Sequence, residues 1–217
     1  MINIIIPVRN EEENIIETIT ALENTDLPAH RIIIIDDYST DKTKEIVERI
    51  AKERENLELI TNNYSPGFGN ALRTGFEQVK EGVIVPFMAD LCDRPEDISR
   101  MYKKIEEGYE VICASRYTSG GRIVGRTKRL KVFLSKWAGL TLQKLARLPT
   151  SDAINAFKMY RKKVIESIDI KSVGFAASLE LFLKAYYKGY KIYEIPTVWR
   201  ERSKGARTGL RTLLSDT

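Results

Sequence analysis

The sequence has 217 residues, of which 43% are hydrophobic and 30% charged, and its formal net charge is +5. A chain of this length and composition can bury a full core, which excludes a small module held together by disulfides or a structural metal. Cys92 and Cys113 are not spaced as a C-x-x-C pair, and the single histidine, His30, leaves no second imidazole for a His-based metal site.

The first half of the chain alternates predicted strands and helices. Short, nearly continuous apolar runs rich in β-branched residues predict strands buried on both faces, at residues 2–8, 31–37, 57–61, 83–89 and 110–115. Amphipathic patterns predict helices between them, within residues 10–23, 39–53, 70–80 and 95–107. This alternation indicates an α/β fold, in which right-handed crossovers give a doubly wound, mostly parallel sheet with helices on both faces.

After Arg116 the alternation breaks. The second half is predicted to contain a glycine-rich loop (YTSGGRIVGR), a basic amphipathic helix over about 127–147, a strand in AINAFKMYR, a helix near 175–188 and a last strand in KIYEIPTVWRE. We therefore expect a single domain over 1–217, with halves 1–116 and 117–202 and a basic, mobile tail over 203–217.

Positive charge is concentrated in one segment. Residues 116–151 contain nine Lys or Arg and no acid, so the remaining sequence is net acidic. Such a segment favours phosphate-bearing partners, and its few aromatic residues argue against a nucleic-acid surface. The basic helix within it has two open interpretations: it packs on the core with a solvated face, or it lies in the headgroup region of an anionic membrane.

Polar side chains gather where the predicted strands end. In open α/β sheets, ligands bind beyond the carboxyl ends of the strands. The acids that follow these strands would repel one another unless a divalent cation or the donor groups of a nucleoside lay between them. Each acid also has a structural alternative, because Asp41 and Asp90 could cap the helices that follow them. The polar and neighbouring residues that follow the strands are Pro7, Arg9, Asn10, Glu11, Asp36, Asp37, Ser39, Asp41, Asp90, Asp93, Ser115 and Arg116.

An ordered set of motifs makes the chain recognisable. IPVRNEEENI, IIDDYSTDKT, GFGNALRTGF, FMADLCDRPED, ASRYTSGG and WRERSKG together resemble glycosyltransferase family 2, most closely its dolichyl-phosphate mannose synthase-like branch. The resemblance implies a type A glycosyltransferase fold, a nucleotide-sugar donor such as GDP-mannose or UDP-glucose, and Mg²⁺ or Mn²⁺ as cofactor. It assigns 1–116 to nucleotide-sugar binding and 117–202 to the acceptor.

The same resemblance assigns donor-side roles. Pro7, Arg9, Glu11, Asp36, Asp37, Gly69 and Asp90 would border the nucleotide sugar. Asp90 would be the retained carboxylate of the family's D-x-D and would hold the metal. Asp93 is either a second metal ligand, or a residue that pairs with Arg94 or caps the next helix. Met88 stands where the family usually has an aspartate; a thioether is a poor ligand for a hard cation, so Met88 packs in the core or shapes the sugar pocket.

The acceptor side follows from charge. A lipid phosphate arrives already anionic and needs cations to orient it, whereas a sugar hydroxyl needs a general base. The resemblance implies Asp152 for that role, since it precedes the AINAFK strand where the family places an acid. Asp90, Arg116 and Asp152 are thus the expected catalytic residues. By resemblance, the acceptor phosphate would be held by Arg116, Arg126, Arg129, Lys131, Ser135 and Arg202. The tail from Arg200 to Arg211 either closes over the diphosphate or is a mobile terminus.

The leading hypothesis is an inverting hexosyltransferase that acts on a polyprenyl phosphate. One alternative is a family 2 enzyme with a saccharide or protein acceptor; another is a catalytically silent nucleotide-binding or membrane-adaptor protein. MINIIIPVRN has no basic segment of a signal peptide, and no apolar run approaches the about 18 residues that cross a bilayer. A peripheral position at the cytoplasmic face of a membrane is therefore expected, with no nucleic-acid partner.

Overall fold

The computed structural model describes residues 1–125, 137, 139–141 and 143–201. Its strands are β1 (Ile2–Val8), β2 (His30–Asp36), β3 (Leu57–Thr61), β4 (Val83–Pro86), β5 (Val111–Ser115), β6 (Arg122–Val124), β7 (Lys158–Arg161), β8 (Ile192–Pro196) and β9 (Val198–Arg200). Its helices are α1 (Ile15–Glu23), α2 (Thr43–Ala51), α3 (Phe68–Glu77), α4 (Glu96–Glu106), α5 (Lys162–Glu166) and α6 (Ala176–Tyr187). Residues 137, 139–141 and 143–146 are also helical.

A seven-stranded sheet organises the molecule, in the order β3-β2-β1-β4-β7-β5-β8. All neighbouring strands run parallel except β7, which is antiparallel to both β4 and β5. The prediction of a doubly wound, mostly parallel α/β sheet is confirmed. Because β7 comes from the second half of the chain and inserts between two strands of the first half, both halves share one sheet. β6 and β9 form a separate parallel pair.

The continuous apolar runs are explained by a core on each face of this sheet. Along β1, Ile4 and Ile6 point into one cluster, which also contains side chains of α1, α2 and α4, while Ile5 points into the other, with α3 and α6. All three isoleucines are fully buried. Successive strand residues point to opposite faces, so a strand covered on both sides must be apolar at every position.

Several boundaries differ from the sequence prediction. The strand predicted over 83–89 ends at Pro86, and the chain then turns into the loop that carries Asp90. The predicted last strand is split into β8 and β9 at Thr197, whose hydroxyl donates to Asp97 Oδ2 at 2.7 Å. β6 and α5 were not predicted; β6 has three residues and is largely exposed, so it lacks the apolar pattern of the other strands.

The predicted basic helix is described only in its second part. Residues 126–136 lie outside the described residues, and within the rest Trp137 and Leu145 are exposed while Gly139 is buried. A Cβ on Gly139 would lie 2.6 Å from the Ser151 carbonyl oxygen, so this helix packs closely on the segment before Asp152. In the described part of the chain, no helix combines the length and apolarity needed to span a membrane.

Candidate active site

The sheet register brings the predicted rim residues to one edge. Val8 at the end of β1 pairs with Asp36 at the end of β2, and Ile5 of β1 pairs with Pro86 of β4. β2 and β4 therefore lie on either side of β1, and Asp90 follows β4 at the same edge as Asp36. With neighbouring strands about 4.8 Å apart, this edge forms a continuous polar rim.

The first two loops of the rim are bound to each other. Asn10, whose φ is 57°, accepts a hydrogen bond from Thr40 N at 2.8 Å, and its own N–H donates to Ser39 Oγ. Asp41 accepts from Glu12 N at 3.1 Å and from Thr43 N, at the start of α2, at 2.9 Å, whereas the N-cap position of α2 is held by Lys42. These hydrogen bonds lower the pKa of Asp41 although its partial burial opposes them.

The predicted nucleotide-binding side chains differ in burial and in the number of hydrogen bonds that they already make. Pro7 is buried in β1, Arg9 is exposed, and Glu11 accepts a hydrogen bond from Asn14 Nδ2 at 2.8 Å. Asp36 and Asp37 are both buried, and Asp36 Oδ1 accepts only a long bond of 3.3 Å from Ser39 N in the described part of the chain.

Asp37 is committed to the loop before α3. Its carboxylate accepts from Asn62 Nδ2 at 2.7 Å and from Gly67 N at 3.0 Å. Asp37 therefore fixes the backbone of this loop, and Asp36 is the freer of the two carboxylates that end β2.

Backbone conformation and close packing explain Gly67 and Gly69 of GFGNALRTGF. Gly67 has a φ of 154°, and a Cβ on Gly69 would lie 2.3 Å from the Ser172 carbonyl oxygen. Gly69 N donates to Val173 O at 2.6 Å. The start of α3 thus lies directly on the backbone that leads into α6, and this contact requires a residue without a side chain at position 69.

Asp90 and Asp93 form the acidic part of the rim. Asp90 is partly exposed, and its Oδ1 accepts from Cys92 N at 3.1 Å. Asp93 is 5% exposed, and its Oδ1 has no hydrogen-bond partner. Burial, with the charge of Asp90 as second cause, raises the pKa of Asp93 to about 7, although nearby Arg116 opposes the shift. Both carboxylates line a cleft of about 520 Å³ that is closed on one side by α1.

The neighbours of these acids have structural roles. Met88 is partly buried and packs against the core on the α3 side of the sheet. Cys92 is buried, and its carbonyl accepts from Arg200 N at 2.7 Å, which ties β9 to the acidic loop. Among the described residues, no cluster of three or more His, Cys, Asp or Glu side chains could hold a metal by itself. A cation at Asp90 and Asp93 would need further oxygen ligands from a substrate or from water.

Arg116 and Asp152 form a bidentate ion pair. Arg116 Nε and Nη2 donate to the two carboxylate oxygens, each at 2.7 Å, and Arg116 N donates to Oδ2 at 3.0 Å. The Asp152 side chain is 1% exposed and that of Arg116 is 15% exposed. Within the part of the chain that the structure describes, Arg116 Nη1 makes no hydrogen bond, so with respect to those residues this nitrogen remains available as a donor.

The sequence analysis missed the residues that support this pair. Glu194 of β8 accepts from Ser151 N at 2.6 Å and from Thr150 Oγ1 at 2.7 Å. Lys158 of β7 is fully buried and donates to backbone carbonyls just after Asp152. A glutamate in IYEIP and a lysine in AFKMY give no sequence signal of burial, because charged residues in strands commonly face solvent.

The other predicted acceptor residues lie outside the described part of the chain. They are Arg126, Arg129, Lys131, Ser135 and Arg202. Their assignment to the acceptor phosphate stays a prediction.

This fold is that of the type A glycosyltransferases, and comparison with known proteins agrees. The family model described as glycosyl transferase family 2 matches residues 3–169, and the chain belongs to that family. The resemblance inferred from the sequence is thereby confirmed.

Two curated relatives are similar to this chain over most of its length. A dolichol-phosphate mannosyltransferase of Pyrococcus furiosus is 28% identical over 209 residues, which are 94% of this chain and 58% of the relative. A polyprenol monophosphomannose synthase of Mycolicibacterium smegmatis is 28% identical over 209 residues, 93% of this chain and 78% of the relative. The chain thus spans somewhat more than half of the first relative and about three quarters of the second.

Solved structures share the fold at lower identity. Glucosyl-3-phosphoglycerate synthase from Mycobacterium tuberculosis, in complex with Mn²⁺, UDP and glucosyl-3-phosphoglycerate, superposes with a TM-score of 0.76 at 16% identity, over 99% of this chain and 75% of that one. Residues 1–349 of S. aureus TarS, in complex with UDP-GlcNAc, superpose with a TM-score of 0.67 at 19% identity. The match covers 94% of this chain and 59% of the TarS chain. At these identities the likeness establishes the fold.

Proposed function

We propose that this chain is an inverting, metal-dependent hexosyltransferase that transfers a sugar from a nucleotide sugar to a polyprenyl phosphate at a membrane surface. The observation that carries the proposal is that two parallel strands of one sheet are followed by the acidic pair Asp90 and Asp93, with an unpartnered Asp93 Oδ1, and by the ion-paired Arg116. A site with a cation on one side and a free guanidinium edge on the other suits two phosphate-bearing substrates that must meet.

On the donor side, Asp36 is the carboxylate best placed to accept from the nucleoside, since Asp37 is occupied by Asn62 and Gly67. Pro7, Arg9 and Glu11 lie at the same edge and would border the nucleotide. Gly69 would contribute indirectly, because it sets the position of α3 against the loop that leads into α6.

Asp90 and Asp93 fit a divalent cation. The unpartnered Oδ1 of Asp93 is a buried oxygen that lacks a donor, and carboxylate oxygens are the ligands that Mg²⁺ and Mn²⁺ prefer. Mg²⁺ commonly uses one or two protein carboxylates and takes its other ligands from phosphates and water, so the loss of a carboxylate at Met88 is compatible with binding. When bound, the cation would neutralise the departing nucleoside diphosphate.

On the acceptor side, Arg116 Nη1 would orient the lipid phosphate. A phosphate oxygen attacks the anomeric carbon from the side opposite the diphosphate; the new carbon–oxygen bond forms as the bond to the diphosphate breaks, with inversion. No proton needs to be removed from an acceptor that is already ionised. Asp152 would therefore act by holding Arg116, and Arg126, Arg129, Lys131, Ser135 and Arg202 would complete the phosphate site.

The ion pair also weighs on the alternatives. A saccharide or protein hydroxyl as acceptor would need a general base, and Asp152 is buried and bonded through both oxygens to Arg116. Met88, which replaces a family aspartate, suggests a catalytically silent nucleotide-binding protein. Such a protein would not explain why Asp93 has a buried carboxylate oxygen with no hydrogen-bond partner. The names of the two curated relatives further favour a polyprenyl-phosphate acceptor. The exposed Trp137 and Leu145 would lie toward the cytoplasmic leaflet that carries this lipid.

The test is a transfer assay. The protein is incubated with radiolabelled GDP-mannose, UDP-glucose or UDP-N-acetylglucosamine, polyprenyl phosphate in vesicles, and Mg²⁺, Mn²⁺ or EDTA. We expect lipid-soluble label with one donor, which is lost with EDTA and with dephosphorylated polyprenol. Label on an added saccharide or peptide, with none on lipid, would contradict the lipid acceptor; nucleotide binding without any transfer would support the silent protein.

A further inference from the structure

Lys158 is a buried cation that the proposed reaction does not use. It lies at the start of β7, opposite Cys113 of β5, and its exposure is 0%. Its ammonium lies 5.3 Å from the centre of the Phe182 ring. Burying a lysine costs free energy, and none of the ion pairs in the described part of the chain involves Lys158. An apolar residue of equal size would occupy this position at a lower desolvation cost. The buried ammonium group is therefore expected to have a specific role.

The contacts of Lys158 lead directly to the acceptor side of the site. Its Nζ donates to the carbonyl oxygen of Ala153 at 2.9 Å and to that of Asn155. These two residues form the turn that follows Asp152, and Asn155 N also donates to Asp152 O at 3.2 Å. Lys158 thus bridges two backbone carbonyls of this turn.

The residues that precede Asp152 are also held in place. Glu194 binds Thr150 and Ser151, and Asp152 N donates to Thr150 Oγ1 at 3.1 Å. The backbone on both sides of Asp152 is therefore anchored by a buried or half-buried charged side chain from a neighbouring strand. Between these two anchors, the Asp152 carboxylate meets Arg116 in the planar, two-bond geometry that a guanidinium requires.

We infer that Lys158 is a positioning residue, which fixes the turn 153–155 so that Asp152 holds the free edge of Arg116 toward the acceptor. Lys158 does not touch the substrate. Its loss would leave two buried carbonyls without a donor and loosen the turn, so that the Arg116 guanidinium would spend less time in the productive orientation. The kinetic part of this inference depends on the proposed function, whereas its structural part does not.

The structural part is tested by amide hydrogen exchange on Lys158→Met, with Lys162→Met as matched control. Lys162 also donates to a backbone carbonyl, that of Phe76 at 3.1 Å, but lies away from the acceptor side. We expect exchange of the Arg116 amide, which Asp152 protects, to become about tenfold faster in Lys158→Met and to stay unchanged in the control. Unchanged exchange at Arg116 would overturn the inference, whatever reaction the protein catalyses. If Lys158→Met does not fold, Lys158→Gln, which keeps a donor without the charge, takes its place.

The kinetic part is tested by a double-mutant cycle with Asp152→Asn. We expect Lys158→Met to lower kcat/KM for the acceptor about tenfold and to leave KM for the donor within about twofold. In the Asp152→Asn background, the same substitution should add less than about twofold, because the group through which it acts has already been lost. Equal losses in both backgrounds, or equal losses for donor and acceptor, would mean a general structural role and would contradict the inference.

Discussion

At the scale of single residues, the site depends on carboxylates in unequal environments. Asp37 and Asp41 are satisfied by backbone and side-chain donors, whereas Asp93 has a buried oxygen with no partner. The sequence indicated all three acids from their position after strands. It could not separate them, because hydrogen-bond partners such as Asn62 and Gly67 come from loops distant along the chain.

Asp93 gives the metal-free protein a specific pH dependence. Its pKa is 3.8 ordinarily and about 7 in the fold, so between these values the folded carboxyl keeps a proton that the unfolded one has lost. The cost of ionising it in the fold is absent below about pH 4, grows as pH rises and is complete above about pH 7, on the order of 4 kcal/mol. We therefore expect Asp93→Asn to be more stable than the parent chain at pH 8 in EDTA and equally stable at pH 4.

Urea unfolding at the two pH values measures this difference. Exposed Asp26 provides the control, since Asp26→Asn should leave the stability difference between the two pH values unchanged. If Asp93→Asn followed the parent chain at both pH values, the buried carboxyl would not be the source of the effect.

Arg116 should act on the acceptor more than on the donor. We propose that its Nη1, which makes no hydrogen bond to the described residues, contacts the lipid phosphate, while the nucleotide side of the rim is formed by β1 and β2. We expect Arg116→Ala to raise KM for polyprenyl phosphate at least about tenfold and to change the Kd of the nucleotide less than about twofold. Steady-state kinetics and nucleotide titration separate the two effects, and equal losses on both substrates would count against the phosphate role.

At the scale of elements, the ion pair joins β5 to the turn before β7. Removing one partner leaves a buried charge, so Arg116→Met should destabilise the protein by about 3–5 kcal/mol. The double variant Arg116→Met with Asp152→Asn should recover much of this loss, because neither charge remains. Chemical denaturation of the single and double variants checks the coupling; additive losses would show that the pair contributes no more than its separate parts.

The start of α3 rests on the loop before α6 through a glycine. A Cβ at position 69 would lie 2.3 Å from the Ser172 carbonyl oxygen and 2.7 Å from the Ala177 Cβ, so Gly69→Ala must displace one element. We expect a loss of about 2 kcal/mol or more in unfolding free energy. Gly108→Ala is the control: its φ is +100° but nothing lies near its Cβ, so it should cost only about 1 kcal/mol. Similar costs at both positions would refute the steric explanation.

The elements of the first half were predictable because a strand covered on both faces must be largely apolar, and β1, β4 and β5, which are buried at every position, show this pattern. Element ends were less predictable where a tertiary contact decides them. The break between β8 and β9 coincides with the hydrogen bond from Thr197 to Asp97, a residue 100 positions earlier in the chain. The sequence around Thr197 gives no indication of this hydrogen-bond partner.

At the scale of the whole molecule, the fold class and the meeting of polar strand ends at one sheet edge were predictable, whereas the ion pair between Arg116 and Asp152 was not. The antiparallel insertion of β7 between β4 and β5 could not be read from alternating strands and helices. That insertion brings Asp152 beside Arg116 and Lys158 to the turn after Asp152, so the support of this ion pair by Lys158 could not be predicted from the local sequence.

The central claim is that Asp90 and Asp93 hold a divalent cation beside the donor diphosphate. Calorimetric titration of Mn²⁺ in the presence of a nucleoside diphosphate tests it most directly, with Glu96→Gln as control because exposed Glu96 lines the same cleft. We predict one Mn²⁺ per chain, with affinity at least about tenfold weaker in Asp90→Asn and in Asp93→Asn and unchanged in Glu96→Gln. Binding of Mn²⁺ to a folded Asp90→Asn variant with the affinity of the parent chain would contradict the account.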